Sequence, residues 1–431
     1  MNNKQLLSEA EAYTAARRYD IDAHPAFIVQ SAEGAWLKDC DGNTALDMTS
    51  ANGTVLFGYC NPVINAAIIE QLSQRGAIFP TPLSPQRITL AERIIARYPA
   101  AEKAVFFRTG SDATSAAIRM ARAYSGKSLI LSSGYHGWHD WQRKFAEPGW
   151  DAGCDVFHFG YSLANLALLI EQGKDFIGGV IVTPEPGWYS VQHFNAMYQL
   201  CANEGIPFIV DEVMSGLRYG ASGFNGAGAT ADLIVVSKGL ANGTALSCIA
   251  GERAIIDSYD KAGLAGTYNK EVTPMAAALA ALRLIDESDP YPASLATGRE
   301  LMEELQMAAS DAGVPLWVTG APLMFKTVFS DSVIADYVSA ACFKAGLLME
   351  CNGTHMINFS FGKREKDYAV AAFKEALKSL KESGLLSARN IDDSALSLQQ
   401  KENYASLSFG ALFNKTLDEE ITRALRHRRS R

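Results

Sequence analysis

The sequence has few of the features that mark secreted or zinc-binding proteins. Its seven cysteines, at positions 40, 60, 154, 201, 248, 342 and 351, are scattered, odd in number and never spaced as CxxC. Such a pattern builds neither a disulfide framework nor a zinc site, and it is typical of proteins in a reducing compartment. We therefore expect a cytoplasmic protein.

Long apolar runs and a surplus of positive charge are also missing. No stretch reaches the ~18 apolar residues that suggest a membrane-spanning helix, and residues 1–20 lack the apolar core of a secretion signal. The formal net charge is −8, whereas non-specific nucleic-acid binding needs a concentrated positive field. We predict neither membrane nor nucleic acid as a partner. The basic C-terminal run RHRRSR is either a solvated tail or an RNA contact.

Short apolar runs fill the middle third of the chain. Most are continuous rather than alternating, as in strands buried on both faces of a mostly parallel sheet. The runs cover residues 104–107, 129–133, 179–184, 207–213, 233–238 and 247–251. Helical patterns separate them, and the clearest starts at Ser111. The alternation of strand and helix predicts an α/β fold with a large doubly wound domain.

The length of 431 residues suits a large domain plus a smaller one, because single cores stop growing at ~250–300 residues. Residues 27–48 are predicted as a hairpin that can join either domain, and Pro274 opens a long helix that leads out of the large domain. Further strands are predicted at 322–329 and 355–361. The predicted boundaries are an N-terminal segment 1–50, a large domain 51–272, a small α+β domain 273–385 and a helical tail 386–431.

An anion site is predicted where the first strand meets the following helix, at Thr109-Gly110-Ser111-Asp112. Gly110 lets the backbone approach a ligand closely, and Ser111 can cap the helix. The first-turn N–H groups have no partner within the helix and lie at the positive end of its dipole, which favours a phosphate. Simple helix capping stays open as the alternative.

Asp211 and Lys238 each stand at the C-terminal end of an apolar run. Open α/β sheets bind ligands at that edge, so neighbouring strands would bring both side chains to one cofactor. A lysine there can form a Schiff base with an aldehyde cofactor, and a buried carboxylate can keep a pyridine nitrogen protonated. The alternatives are a strand-end turn or a metal ligand for Asp211, and a solvated strand end for Lys238.

The segment Tyr135-His136-Gly137-Trp138-His139 follows the run at 129–133. The ring of Tyr135 can stack on a flat cofactor. The two histidines are spaced as HxxH and can instead bind a metal, but no third ligand is nearby and the sequence has only seven histidines. We predict the stacking role and no metal.

These motifs resemble the class III pyridoxal-phosphate aminotransferases, and glutamate-1-semialdehyde aminomutase and its relatives most of all. The matching segments run in family order between residues 20 and 380 and include FFRTGSDATSAAIRMARAYSGKSLILSSGYHGWHDW, FIVDEVMSGLRYG and ADLIVVSKGL. The resemblance implies a fold type I transferase with pyridoxal 5'-phosphate as its cofactor.

The resemblance also implies roles for individual residues around the cofactor ring. Lys238 would bond to the aldehyde, and Asp211 would meet the pyridine nitrogen. Val213 would pack under the ring and Tyr135 above it, with His136 beside it.

At the phosphate, the resemblance implies Gly110 and Ser111 as ligands. Thr267 would reach the phosphate of the partner subunit, which implies a homodimer with shared active sites. Glu185 would lie near the pocket.

The sequence departs from the family pattern at the phosphate turn, where the family's Ser-Gly-Thr-Glu reads Thr109-Gly110-Ser111-Asp112. It departs again at two segments that border the substrate pocket in the family. The family's Gly-Asn-Pro after the bridging threonine is replaced by Asn269-Lys-Glu-Val-Thr-Pro274, and the glycine-rich stretch after the lysine reads Leu240-Ala-Asn-Gly-Thr. We therefore expect a transaminase with an external donor, L-glutamate, and keep two alternatives: an intramolecular aminomutase and a non-catalytic cofactor-binding protein.

The segments NGTHMINFSF and TYNKEVTP resemble family members that aminate sugars. One such member transfers an amino group to C8 of an oxidised octulosonic acid of lipopolysaccharide. Arg218 is a candidate for binding a substrate carboxylate. The polar residues Asn52, Thr54, Asn269, Asn352 and His355 would suit a hydroxyl-rich acceptor or are simply loop and turn residues.

Overall fold

The computed structural model describes residues 2–14, 27–141, 156–185, 187, 189–329 and 331–388. Its described residues divide into two compact units, one formed by those up to residue 65 together with those from residue 284 onward, and one formed by those between residues 66 and 283. The domain boundaries expected at residues 50, 272 and 385 remain predictions. The predicted tail from residue 389 onward lies outside the described residues.

Helices occur throughout both units, and none of those in the described ranges is long and apolar enough to cross a bilayer. A π-helical turn at Gln71–Arg75 and 3₁₀ helices at Lys238–Ala241 and Thr267–Lys270 complete the helical elements of the described residues. The α-helices are α1 (Asn3–Tyr13), α2 (Ser50–Gly53), α3 (Pro62–Glu70), α4 (Pro85–Ile95), α5 (Gly110–Ser125), α6 (Leu163–Gly173), α7 (Val191–Ala202), α8 (Gly223–Gly226), α9 (Arg253–Ile256), α10 (Thr273–Ser288), α11 (Tyr291–Ala312), α12 (Ser332–Lys344), α13 (Lys363–Glu382) and α14 (Leu385–Ala388).

The unit of residues 66–283 contains a seven-stranded sheet in the order β4-β10-β9-β8-β7-β5-β6. Its strands are β4 (Lys103–Phe107), β5 (Leu129–Ser133), β6 (Val156–His158), β7 (Ile177–Val182), β8 (Phe208–Glu212), β9 (Leu233–Val236) and β10 (Ser247–Gly251). Only β10 pairs antiparallel with its neighbours, and the other pairs are parallel. The predicted mostly parallel α/β sheet is therefore confirmed, and each of the predicted apolar runs is a strand.

Helix α5 packs its apolar face on this sheet. Ala113, Ala117 and Ala121 are fully buried, together with Ile130 of β5 and Val235 of β9. Small alanines let the helix approach the sheet closely, so its first turn is held rigidly at the carboxyl edge of the parallel strands. The short strand β6 was not predicted, because a run of three residues is too short to show a period.

The other unit contains a four-stranded sheet in the order β1-β2-β3-β13 and a three-stranded sheet in the order β11-β12-β14. The strands are β1 (Val29–Glu33), β2 (Trp36–Asp39), β3 (Thr44–Asp47), β11 (Leu316–Ala321), β12 (Met324–Phe329), β13 (Leu347–Leu348) and β14 (Thr354–His355). Strands β1 and β2 form the predicted antiparallel hairpin.

The strand predicted at 355–361 is wrong for most of its length. Strand β14 ends at His355, residues 356–358 have no regular structure, and residues 359 and 360 form a turn. The N–H groups of Met356 and Phe359 donate instead to the backbone oxygens of Met48 at 2.7 Å and Leu56 at 2.8 Å. The apolar segment therefore bonds to residues 48 and 56 rather than extending the three-stranded sheet.

Candidate active site

Asp211 lies near the carboxyl end of β8, between the parallel neighbours β7 and β9, and only 2% of it is exposed. Its Oδ2 lies 2.8 Å from Nδ1 of His136 and 3.4 Å from Oγ1 of Thr183. Its Oδ1 accepts a hydrogen bond from the backbone N–H of Val213 at 3.0 Å. The structure therefore brings Asp211, His136 and Val213 together, as the resemblance implied, and adds Thr183.

His136 orients this carboxylate. Because an ionised carboxylate only accepts hydrogen bonds, Nδ1 of His136 must carry the proton that points at Asp211. The ring is fully buried and stacks on Trp141 at a centroid distance of 6.0 Å. Its Nε2 is buried and has no hydrogen-bond partner among the described residues. A buried polar atom without a partner is costly, and such atoms are found where a ligand completes a site.

Lys238 follows β9 and begins the 3₁₀ helix Lys238–Ala241. Its φ of +46° places it in the left-handed region, which non-glycine residues adopt rarely and often at functional sites. Burial and, second, the positive charge of Arg218 lower the pKa of its amine to about 8, against the opposing effect of Asp211. Lys238, Arg218 and Asp211 are therefore electrostatic neighbours, as expected if the lysine and the acid serve one cofactor.

The lowered pKa makes a direct prediction about cofactor capture. Only the neutral amine attacks an aldehyde, so the rate at which cofactor-free protein bonds pyridoxal phosphate should rise with pH around a midpoint near 8, well below the usual 10.5. Stopped-flow absorbance measures this rate, with a small-molecule lysine derivative as the reference. Arg218→Met removes one cause of the shift and should move the midpoint upward. A midpoint near 10.5 in the unmodified protein would contradict the burial of this amine.

The turn at residues 109–112 caps helix α5, but the cap residue is not the predicted Ser111. Thr109 has extended backbone geometry, its side chain accepts from the N–H of Asp112 at 3.1 Å, and Asp112 Oδ2 accepts from the N–H of Thr109 at 2.9 Å. This reciprocal capping box needs its first residue outside the helix, which Thr109 satisfies and Ser111, inside the helix, does not.

Capping by Thr109 leaves an anion site in the same turn. No described residue accepts a hydrogen bond from the N–H of Gly110 or Ser111. A Cβ on Gly110 would lie 2.7 Å from Cγ1 of Val213, closer than real Cβ contacts. The turn therefore touches Val213, and through it the surroundings of Asp211. Capping and anion binding, posed as alternatives, are both compatible with this geometry.

The other residues predicted for the site are Tyr135, Glu185 and Thr267. The backbone oxygen of Tyr135 accepts from Thr183 Oγ1 at 3.0 Å, and 37% of this tyrosine is exposed. Glu185 is buried beyond the end of β7, where its charge helps to raise the pKa of Tyr161, an effect due first to burial. Thr267 is exposed at the start of its 3₁₀ helix. Within the described residues it has no hydrogen bond to Asp211, His136 or Val213.

Sequence reasoning missed Thr183 and Glu212. Both are polar residues at or beyond the carboxyl end of a strand, and this position is the signal that could have found them. Glu212 is fully buried and accepts from Ser215 Oγ and from the N–H groups of Phe224 and Asn225. Burial raises its pKa to about 7. It anchors helix α8 rather than facing Asp211.

Several polar residues proposed for the acceptor pocket have structural bonds within their own unit. His355 is fully buried, with Nε2 at 2.8 Å from Thr327 Oγ1, and burial lowers its pKa to about 3. Asn352 accepts from the N–H of Phe329 at 2.7 Å, and Thr54 donates to the backbone oxygen of Ala51. For these residues the turn-and-loop alternative describes the structure.

The functional groups of the site suit pyridoxal phosphate. They are an amine of lowered pKa, an oriented carboxylate and two N–H groups at the start of a helix. Fold and site together define a fold type I pyridoxal-phosphate transferase. The family model for aminotransferase class-III matches residues 18–140 and 161–378, and the chain belongs to this family. It is a pyridoxal-phosphate-dependent transaminase.

Relatives of known activity extend over most of the chain. A 2'-deamino-2'-hydroxyneamine transaminase of Streptomyces kanamyceticus is 34% identical over 87% of this chain and 96% of its own length. A 3-aminobutyryl-CoA aminotransferase of Cloacimonas acidaminovorans is 30% identical, with 83% and 90% covered. A glutamate-1-semialdehyde 2,1-aminomutase of Sulfurisphaera tokodaii is 30% identical over 72% of this chain and 79% of its own.

Solved structures show the same fold. The FumI protein of Sphingopyxis sp. MTA144, in its PLP internal aldimine form, superposes with a TM-score of 0.82 at 25% identity, covering 90% of this chain and 98% of its own. An omega-transaminase from Sphaerobacter thermophilus superposes with a TM-score of 0.79 at 24% identity, covering 88% and 98%.

Proposed function

We propose that this enzyme transfers an amino group from L-glutamate to the aldehyde or ketone carbon of a hydroxyl-rich, sugar-like acceptor. The observation that carries this proposal is the 34% identity, over nearly the whole length of both chains, to a transaminase named for a hydroxylated neamine. The particular acceptor we propose is 8-oxo-3-deoxy-manno-octulosonate, a sugar of lipopolysaccharide biosynthesis.

Each residue of the group has a task that its surroundings support. When bound, pyridoxal phosphate supplies the aldehyde that takes up the amino group and a ring that withdraws electrons from the reacting carbon. Lys238 would hold the cofactor through its aldehyde, and its free amine would move a proton. Asp211, held by His136 and Val213, would pair with the pyridine nitrogen and keep it protonated.

The other side chains bind and position the cofactor. The N–H groups of Gly110 and Ser111 bind its phosphate, Val213 packs against one ring face, and Tyr135 stacks on the other. Glu185 lies beside the pocket with Tyr161, whose hydroxyl donates to the backbone oxygen of Thr183 at 2.9 Å.

An intramolecular aminomutase is the second candidate. It is favoured by the 30% identity to glutamate-1-semialdehyde 2,1-aminomutases. The two candidates differ in one measurable respect, because a transaminase consumes an external amino donor and an aminomutase does not.

Adding L-glutamate to the purified enzyme is expected to bleach its yellow absorbance band and leave the cofactor in its amino form. D-glutamate, which presents the same groups with the opposite hand, serves as the control. The amino-form enzyme should then regain its yellow band with 8-oxo-3-deoxy-manno-octulosonate faster than with glutamate-1-semialdehyde. A band that L-glutamate leaves unchanged would contradict the glutamate donor. Recovery with glutamate-1-semialdehyde alone would favour the aminomutase.

We further propose that the enzyme is a cytoplasmic homodimer in which Thr267 reaches the cofactor phosphate of the partner subunit. The exposure of Thr267 and its lack of contact with the group around Asp211 support this role. The six cysteines within the described ranges form no disulfide, which supports the compartment. Sedimentation at the mass of a single chain would contradict the dimer.

A further inference from the structure

The loop of residues 134–141 is tied by side chains to the first two turns of helix α5. We infer that His139 is a positioning residue, which holds the 109–112 turn in the geometry that binds the cofactor phosphate. This inference rests on the proposed assignment of the Gly110 and Ser111 N–H groups to that phosphate.

Ser115 is the centre of the contact. It lies one helical turn beyond Ser111, and its Oγ donates to the backbone oxygen of Ser111 at 2.7 Å. The same Oγ accepts from Nε1 of Trp141 at 2.9 Å and lies 2.7 Å from Nδ1 of His139. A second tie runs from Thr114 Oγ1 to the backbone oxygen of His136 at 2.6 Å.

The far side of the His139 ring faces the helix cap. Its Nε2 lies 3.8 Å from Oδ1 of Asp112, an ion-pair distance, while Oδ2 of the same carboxylate caps Thr109. The side chain of Asp112 is therefore shared between the helix cap and the histidine.

The Ser115–His139 hydrogen bond forms with either assignment of the hydroxyl proton. Ser115 has one hydroxyl proton. If that proton goes to the backbone oxygen of Ser111, Nδ1 of His139 donates to Ser115 Oγ. If Ser115 instead donates to Nδ1, the ring carries its proton on Nε2, the side that faces Asp112. In both arrangements His139 ties the loop to helix α5 through Ser115.

The loop and the turn are in direct contact, so one cannot shift without the other. A Cβ on Gly137 would lie 2.3 Å from Oγ of Ser111, and its φ of +102° suits only glycine. The loop therefore presses on the residue whose N–H is expected to bind the phosphate. Losing the His139 bridge would let both segments move.

His139 acts through other residues rather than on the reacting atoms. Its ring is 30% exposed, and its partners among the described residues are Ser115, Asp112 and the edge-on ring of Trp138. It differs in this from His136, three residues earlier, which is fully buried and bonded to Asp211.

The test compares cofactors with and without a phosphate. Starting from holoenzyme, hydroxylamine strips the cofactor, and absorbance titration then measures the affinity for added pyridoxal phosphate and for pyridoxal. His139→Ala should weaken pyridoxal phosphate binding about tenfold, the scale of one charge-assisted hydrogen bond, and leave pyridoxal binding unchanged. His139→Asn, whose amide can still bond Ser115, should restore much of the loss.

Ser115→Ala should reproduce the effect, and the double variant should add little to it. The matched control is Ser125→Ala on the same helix, whose hydroxyl bonds only backbone groups, and it should leave both affinities unchanged. Equal weakening of both cofactors by His139→Ala, or no weakening of either, would overturn the inference. Gly110→Ala tests separately whether the turn binds the phosphate. If this variant, like His139→Ala, keeps the preference for pyridoxal phosphate over pyridoxal, the assignment of the phosphate to the turn is wrong.

Discussion

Replacing Lys238 by alanine is expected to abolish covalent capture of the cofactor and to lower turnover by at least ~10⁴-fold, the upper range for one positioned proton-transfer group. In the proposed mechanism the side chain has two tasks, since its amine would bond to the aldehyde and then move the proton. Its lowered pKa gives it more of the neutral, reactive form than an exposed lysine has at the same pH. No second lysine near Asp211 is described that could replace it.

The measurement is the turnover of the purified variant with L-glutamate and an acceptor, together with its visible spectrum. Lys127→Ala is a suitable control, because the amine of Lys127 is exposed and donates to the backbone oxygen of Lys174. Thermal unfolding should show a folded Lys238→Ala protein, since the substitution removes an amine whose burial disfavours its charged form. Added ethylamine should restore part of the turnover. Turnover within tenfold of the unmodified enzyme would refute the mechanism.

Asp211→Asn is expected to bind the cofactor but to slow its reaction with L-glutamate by ~10²–10⁴-fold. The amide is neutral, so it cannot keep the pyridine nitrogen protonated. It also fits its neighbours poorly. His136 and the N–H of Val213 each donate to a different oxygen of Asp211, and asparagine has only one oxygen to accept them.

Stopped-flow absorbance of the half-reaction with L-glutamate separates this effect from cofactor loss. Asp211→Glu keeps the charge and should retain more activity than the amide. Asp232→Asn makes the same chemical change elsewhere on the sheet, where the carboxylate accepts from the N–H of Phe208, and should react at the normal rate. An unchanged half-reaction rate in Asp211→Asn would show that the acid has no part in activating the ring.

Much of the large sheet could be predicted because its strands are buried on both faces. Continuous runs such as LIVV in β9 and LILSS in β5 have no other common explanation in a chain that alternates them with helices. Strand β6 and the turn after His355 were not predictable in this way. The first is three residues long, and the second depends on backbone hydrogen bonds to residues 48 and 56, which are distant in the sequence.

The candidate site, like the sheet, has parts that the sequence predicts and parts that it does not. Asp211, Lys238 and the 109–112 turn could be predicted, since chemistry and strand-end position both point to them. The cap at Thr109 instead of Ser111 depends on backbone angles that a serine–threonine choice does not reveal.

The sequence alone determined the sheet, the cofactor class and the two residues expected to do the chemistry, because each depends on local residue order. Only the tertiary structure decided the contacts between segments distant along the chain. It pairs His136 with Asp211, 75 residues apart, and His139 with Ser115, 24 residues apart. The spacing HxxH is the same whichever partners the two rings bind, and the packing of α5 against the sheet selects them.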